Sequence, residues 1–136
     1  MFCATLVSLA FTGRETPALV REAARVLDPG SPYRRAVDQV IALADAGRSF
    51  REVAEAVEER WHAEYPATNN AVANGGLVAA AVWFGGGDFW RTVNLAAQAG
   101  DFTDADCNAA NAAAVVAARG GMKALPAAHV AALRDR

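Results

Sequence analysis

The chain has 136 residues, of which 54% are hydrophobic and 21% are charged, and its formal net charge at pH 7 is −2. This length predicts a single domain over residues 1–136. The net charge gives no sign of a basic surface that would bind nucleic acid or of a polybasic patch that would bind a membrane, so we expect neither partner. The two cysteines, Cys3 and Cys107, form no CxxC pair. We therefore expect free thiols and a cytoplasmic location.

The N-terminal segment MFCATLVSLAF is apolar over eleven residues. It lacks a positively charged start and is far shorter than the roughly 20 residues that a membrane-spanning helix needs. The segment therefore predicts a buried helix rather than a signal peptide or an anchor.

Three more helices are predicted in the first half of the chain. Each begins at a Ser or Thr that precedes a proline or lies three residues before a glutamate, as helix starts commonly do. Their predicted starts are Thr16 with Pro17, Ser31 with Pro32, and Ser49 with Glu52.

The second half predicts helices over about residues 69–83, 89–99 and 104–119, and a short one after Pro126. Glycine runs separate them, and no window shows the sustained alternation of a strand. The predicted fold class is therefore all-α, an irregular orthogonal bundle of seven or eight helices. Because its many alanines let neighbouring backbones approach closely, the helix over 104–119 is predicted to be the central one.

The segment GDFTDADCNAAN, residues 100–111, places several acids directly before that helix. Thr103 with Asp106 resembles a capping box, which would put Asp104 and Asp106 in the first helical turn. Carboxylate oxygens that converge there suit Mg²⁺, Mn²⁺ or Ca²⁺ better than zinc. The alternative is that these acids only stabilise the helix dipole, by roughly 0.3 to 1 kcal/mol each.

A wider resemblance favours the metal site. The segment TDADCNAANAAAVVAARGGMKALP resembles the C-terminal signature of the ADP-ribosylglycohydrolase family, in which an Asp-Thr-Asp-(Thr or Cys)-Asn motif opens a long helix of small residues. Residues that match the signature in order are Asp104, Asp106, Cys107, Asn108, Gly120, Gly121, Leu125 and Pro126. The upstream segment ATNNAVANGGLVAAAVWFGGGDFW resembles the preceding Asn-containing helix and turn of the family.

The resemblance implies a helical hydrolase that cleaves an ADP-ribosyl glycosidic bond with the help of a pair of Mg²⁺ or Mn²⁺ ions. Its substrate would be an ADP-ribosylated protein or a small ADP-ribose conjugate. The implied metal ligands are Asp104, Asp106 and Cys107, and the implied substrate-binding residues are Asn74, Asn108 and Asp101. No residue is assigned as the catalytic acid or base.

Two departures from the family pattern qualify this implication. Ala105 replaces the usual Thr between the aspartates, and Cys107 stands where the family usually has Thr or Ser. The family fold is also longer, with a first half whose Gly-Asp motif and Thr/Ser-Asp-Asp set complete the metal pair.

This chain therefore resembles the C-terminal half of a family member, whether truncated, degenerate or split. The missing first-half ligands would then come from another chain, or a homodimer would mimic the two-half fold. The alternative function is a non-catalytic half-domain that binds a partner protein or itself.

Overall fold

The computed structural model describes residues 1–67, 69–101 and 103–132, and within these ranges the regular elements are helices. This confirms the predicted all-α fold class. None of the described helices combines the length and hydropathy that crossing a bilayer would require. The helices are α1 (Phe2–Ala10), α2 (Thr16–Ala24), α3 (Pro32–Asp45), α4 (Phe50–Glu64), α5 (Ala71–Gly85), α6 (Phe89–Ala97), α7 (Ala105–Gly120) and α8 (Ala127–Ala132), with a 3-10 turn at Gly121–Ala124 between the last two.

Local capping explains where α3 and α4 begin. The Ser31 side chain accepts a hydrogen bond from the backbone N–H of Arg34. The Ser49 side chain accepts from the backbone N–H of Glu52, whose carboxylate in turn accepts from the backbone N–H of Ser49. Each cap satisfies a backbone donor that the first helical turn leaves unpaired. Both predicted starts are confirmed.

Thr16 is not the N-cap of α2, so that part of the sequence prediction is wrong. Glu15 takes the N-cap position, and Thr16 is the first helical residue. The Thr16 side chain is fully buried, and its hydroxyl donates a hydrogen bond to the carbonyl oxygen of Trp83 at 3.2 Å. The hydroxyl therefore ties α2 to the end of α5 instead of capping its own helix.

The central helix of the fold is α5, and the prediction that α7 is central is wrong. Helix α5 packs against α2, α3, α4, α6 and α7, and every residue from Gly75 to Val82 is buried. Three of its residues are glycines, Gly75, Gly76 and Gly85, which let neighbouring side chains lie against its backbone. In contrast, α7 leaves residues such as Asn111 and Ala114 exposed.

Asn70 sets the start of α5 and joins it to the end of α4. Its side-chain oxygen accepts from the backbone N–H of Val72 at 2.8 Å. Its amide nitrogen donates to the carbonyl oxygens of Trp61 and Tyr65 at 3.1 and 2.9 Å. This explains why α5 begins at Ala71 rather than at the predicted residue 69, and it fixes the neighbouring Asn74 in the first turns of the helix.

Candidate metal and ligand site

The start of α7 differs by one residue from the sequence prediction. Asp104 is the N-cap residue, α7 begins at Ala105, and Asp106 lies in the first turn. The predicted capping box is wrong, because the Thr103 hydroxyl points back and donates to the carbonyl oxygen of Ala99 at 3.1 Å. Asp104 and Asp106 nevertheless lie together at the N-terminal end of the helix, where the dipole favours negative charge.

Asn74 of α5 holds this end of α7 in place. Its Oδ1 atom accepts a hydrogen bond from the backbone N–H of Asp104 at 3.2 Å and another from the Nδ2 atom of Asn108 at 3.0 Å. Asn108 is only 1% exposed. A single amide oxygen therefore fixes both the N-cap and the second turn of α7 against the central helix.

The side chains of Asp104, Asp106 and Cys107 converge. One ligand atom from each lies within 4.8 Å of the other two, and among the described residues no other group of His, Cys, Asp and Glu comes together in this way. Asp104 is half-buried, whereas Asp106 and Cys107 are exposed. The structure thus brings together the three residues that the sequence predicted as metal ligands.

Asp104 also sets the protonation of its two neighbours. A hydrogen bond with the Asp104 side chain lowers the pKa of Asp106, and backbone N–H groups at the helix start lower it further. A hydrogen bond to Asp104, together with its negative charge, raises the pKa of the Cys107 thiol. At neutral pH the Asp106 side chain is therefore a carboxylate, whereas Cys107 is a neutral thiol.

The chemistry of these donors fits a hard divalent cation. Mg²⁺ and Mn²⁺ prefer carboxylate oxygens, which Asp104 and Asp106 supply. A neutral thiol is a poor ligand for Mg²⁺, because sulfur suits softer metals and binds them as the thiolate. The carboxylates therefore fit the implied Mg²⁺ or Mn²⁺, whereas the predicted ligand role of Cys107 stays a prediction.

Asp104 and Cys107 stand on one side of a cleft of about 220 Å³ between α1, α3, α5 and α7. The predicted substrate-binding residues Asn74 and Asn108 line the same cleft. The full lining consists of Cys3, Tyr33, Asn69, Ala71, Asn74, Gly75, Val78, Asp104, Cys107, Asn108 and Asn111. Four of the six predicted site residues thus meet in one cleft, and Asp106 lies beside it.

The structure does not bring Asp101 to this cleft. Asp101 is exposed and lines a separate hollow of about 390 Å³ next to Glu55, Glu58 and Glu59 of α4. The other residues that line this hollow all belong to α4. Its predicted role in substrate binding therefore has no support from its position.

Polar cleft residues that the sequence did not predict as site residues include Asn111, Cys3 and Tyr33. Asn111 lies four residues after Cys107, and its side chain donates to the Cys107 carbonyl oxygen at 2.9 Å. Helical spacing could have identified it, because residues three and four apart share one face. Cys3 and Tyr33 come from α1 and α3, and no local pattern connects them to the acidic segment.

Comparisons with known proteins give one match. No curated protein and no solved structure matches the chain. The chain does match the protein family described as ADP-ribosylglycohydrolase over residues 1–136, which include the cleft and the acidic residues at the start of α7. The chain belongs to the ADP-ribosylglycohydrolase family.

Proposed function

We propose that this chain binds a divalent cation, Mg²⁺ or Mn²⁺, through Asp104 and Asp106 and acts in the hydrolysis of an ADP-ribosyl glycosidic bond. The observation that carries the proposal is the convergence of these two side chains beside a polar cleft. Family membership supports the reaction class and an ADP-ribosylated protein or conjugate as the substrate. The resemblance to the family implies a pair of ions, and Asp104 and Asp106 would supply part of their ligands.

The size of the cleft indicates which part of the substrate would enter it. Its volume of about 220 Å³ lies below the range of about 300 to 1,000 Å³ that is typical of sites for drug-sized ligands. Among the described residues that line it, none is a Lys or Arg. The cleft therefore suits one sugar ring, whose hydroxyls can pair with amide and carboxylate groups, and leaves the diphosphate outside.

The hydrolysis adds one water across the glycosidic bond. The water oxygen forms a bond to the anomeric carbon, and the bond from that carbon to the leaving group breaks. The leaving group takes up the proton that the water loses. Asp104 accepts a hydrogen bond from a sugar hydroxyl, and Asn74 holds Asp104 in position. A divalent cation bound here would offset the negative charge that develops on oxygen atoms in the transition state.

The proposal is tested by incubating an ADP-ribosylated protein with the chain and Mg²⁺ or Mn²⁺ and measuring released ADP-ribose. We expect release by the wild type and a loss of about a hundredfold or more in Asp104→Asn and Asp106→Asn, because each variant removes a carboxylate that would hold the cation. Glu59→Gln is the matched control, since Glu59 is an exposed acid in the separate hollow beside α4.

Equal release by the wild type and both aspartate variants would contradict the assignment of the site. Cation binding that depends on Asp104 and Asp106 without any release of ADP-ribose would contradict the hydrolysis. That result would support the alternative function, a non-catalytic module that binds a partner.

A further inference from the structure

Tyr33 of α3 lines the same cleft as Asp104, and neither the family pattern nor local spacing identifies it. We propose that the Tyr33 hydroxyl contacts the ligand and donates a hydrogen bond to an oxygen of the sugar ring held beside Asp104. The inference rests on the proposed function, because it assigns a further specificity-determining contact in the same cleft.

The ring of Tyr33 lies directly over the backbone of Gly75. A Cβ atom at Gly75 would stand 2.2 Å from Cζ and 2.3 Å from the hydroxyl oxygen of Tyr33, so a larger residue at this position would displace the Tyr33 ring. Gly75 immediately follows Asn74, the residue that holds Asp104. The absence of a side chain on α5 therefore brings the phenol to the same stretch of backbone that positions the acidic end of α7.

A second contact restrains the same ring. The rings of Phe2 and Tyr33 pack with centroids 5.7 Å apart and planes inclined at 59°, an arrangement that aromatic pairs favour. Phe2 is itself buried. With α5 and the Phe2 ring both in contact with it, Tyr33 has a fixed orientation, so its hydroxyl would lose little conformational entropy when it binds a ligand.

The hydroxyl of Tyr33 has a weak partner within the protein. Its oxygen lies 4.0 Å from the sulfur of Cys3, and a thiol is a weak donor and acceptor. Burial, with a smaller contribution from Cys3, raises the pKa of Tyr33. The phenol therefore keeps its proton at physiological pH and remains able to donate to a stronger acceptor.

The two sides of the cleft are complementary toward a sugar hydroxyl. The Asp104 carboxyl offers hydrogen-bond acceptor oxygens, whereas the Tyr33 hydroxyl can donate a hydrogen bond. A hydroxyl group can donate to the first and accept from the second, and neighbouring hydroxyls on one ring can share the two partners. This combination selects a polyol over a ligand that offers acceptors alone.

The test compares Tyr33→Phe with Tyr65→Phe, the matched control at the only other tyrosine of the chain. Tyr65 stacks on Trp61 and does not line the cleft. Dissociation constants for ADP-ribose and for free ribose are measured by NMR titration in Mg²⁺. We expect Tyr33→Phe to raise both by about three- to tenfold, the effect of one hydrogen bond, and Tyr65→Phe to leave them within about twofold.

The melting temperatures of the same variants distinguish a ligand contact by Tyr33 from a structural role of Tyr33. Tyr33→Phe keeps the ring over Gly75, so its melting temperature should match that of the wild type while its affinity falls. Gly75→Ala displaces the ring and should weaken binding of both ligands in the fraction that remains folded.

Each outcome decides between the two proposals. If Tyr33→Phe binds ADP-ribose as tightly as the wild type does, the Tyr33 contact is overturned and the proposed function stands. If free ribose binds with the expected dependence on Tyr33 while ADP-ribose does not bind, the contact is supported and the proposed function is contradicted. If the wild type binds neither ligand, both proposals fail.

Discussion

Asn74 shows how one side-chain atom can position a site without being its principal ligand. Its Oδ1 atom accepts from the backbone of Asp104 and from the side chain of Asn108. Asn108 is buried, so removal of the Asn74 side chain would leave the Asn108 amide without this partner and without full contact with water. We therefore infer that Asn74 positions Asp104, in addition to any contact it makes with a sugar.

The Asn74→Ala variant tests this positioning role. Because the substitution leaves a buried amide and a half-buried backbone N–H without their acceptor, we expect the free energy of unfolding to fall by about 1 to 3 kcal/mol. Urea denaturation followed by circular dichroism measures the change. Asn94→Ala on the exposed face of α6 is the control and should change stability by less than about 0.5 kcal/mol. Equal effects of the two variants would argue against the role.

At the residue scale, the sequence predicted what lies close along the chain. Asp104, Asp106 and Cys107 fall within one helical turn, so their convergence follows from helix geometry. Tyr33 could not be predicted, because only the packing of α3 on α5 brings it to the cleft. The role of Asp101 stays a prediction, since its nearness in sequence to Asp104 does not bring it into the lining of the same cleft.

Among the elements, α5 depends most on close approach to its neighbours. At Gly85, a Cβ atom would lie 2.0 Å from the Oγ1 atom of Thr92 and 3.0 Å from its Cα atom. Thr92 is fully buried in α6, and the nearer of these atoms belongs to a short side chain with little room to move. The distance between α5 and α6 is therefore set by the missing side chain at Gly85.

Gly85→Ala should disrupt this packing. We expect the free energy of unfolding to fall by about 1 to 3 kcal/mol, because the added methyl group forces α5 and α6 apart. The control is Gly30→Ala, whose added Cβ would lie 3.4 Å from the Asp28 carboxylate, an ordinary contact. Gly30→Ala should leave stability unchanged or raise it by up to about 1 kcal/mol. A loss of similar size in both variants by thermal denaturation would contradict the packing argument.

Element boundaries were predictable where a Ser hydroxyl caps its own helix and not where a Thr hydroxyl bonds to a carbonyl oxygen outside that helix. Ser31 and Ser49 cap their own helices, as their spacing to downstream residues predicts. Thr16 and Thr103 look similar in sequence, yet their hydroxyls donate to Trp83 and Ala99. Thr16 bonds to a residue far along the chain and Thr103 to one four residues back, so neither hydroxyl caps the helix that follows it.

At the scale of the whole molecule, hydrophobic periodicity and the start and stop signals of helices were enough to predict the all-α class, and the structure confirms this class. The identity of the central helix did not follow from alanine content alone. Helix α5 is apolar on all sides and carries glycines at its contacts, whereas α7 keeps an exposed polar face. The cleft lies where α1 and α3 meet α5 and α7, so its shape depends on long-range packing.

The central claim is that Asp104 and Asp106 bind a divalent cation, and calorimetric titration with Mg²⁺ and with Mn²⁺ tests it most directly. The samples are the wild type, Asp104→Asn, Asp106→Asn and the control Glu59→Gln. We predict saturable binding by the wild type and the control, and a loss of affinity of at least about tenfold in both aspartate variants, since each removes a charged oxygen ligand. Indistinguishable titrations of all four proteins would contradict the claim.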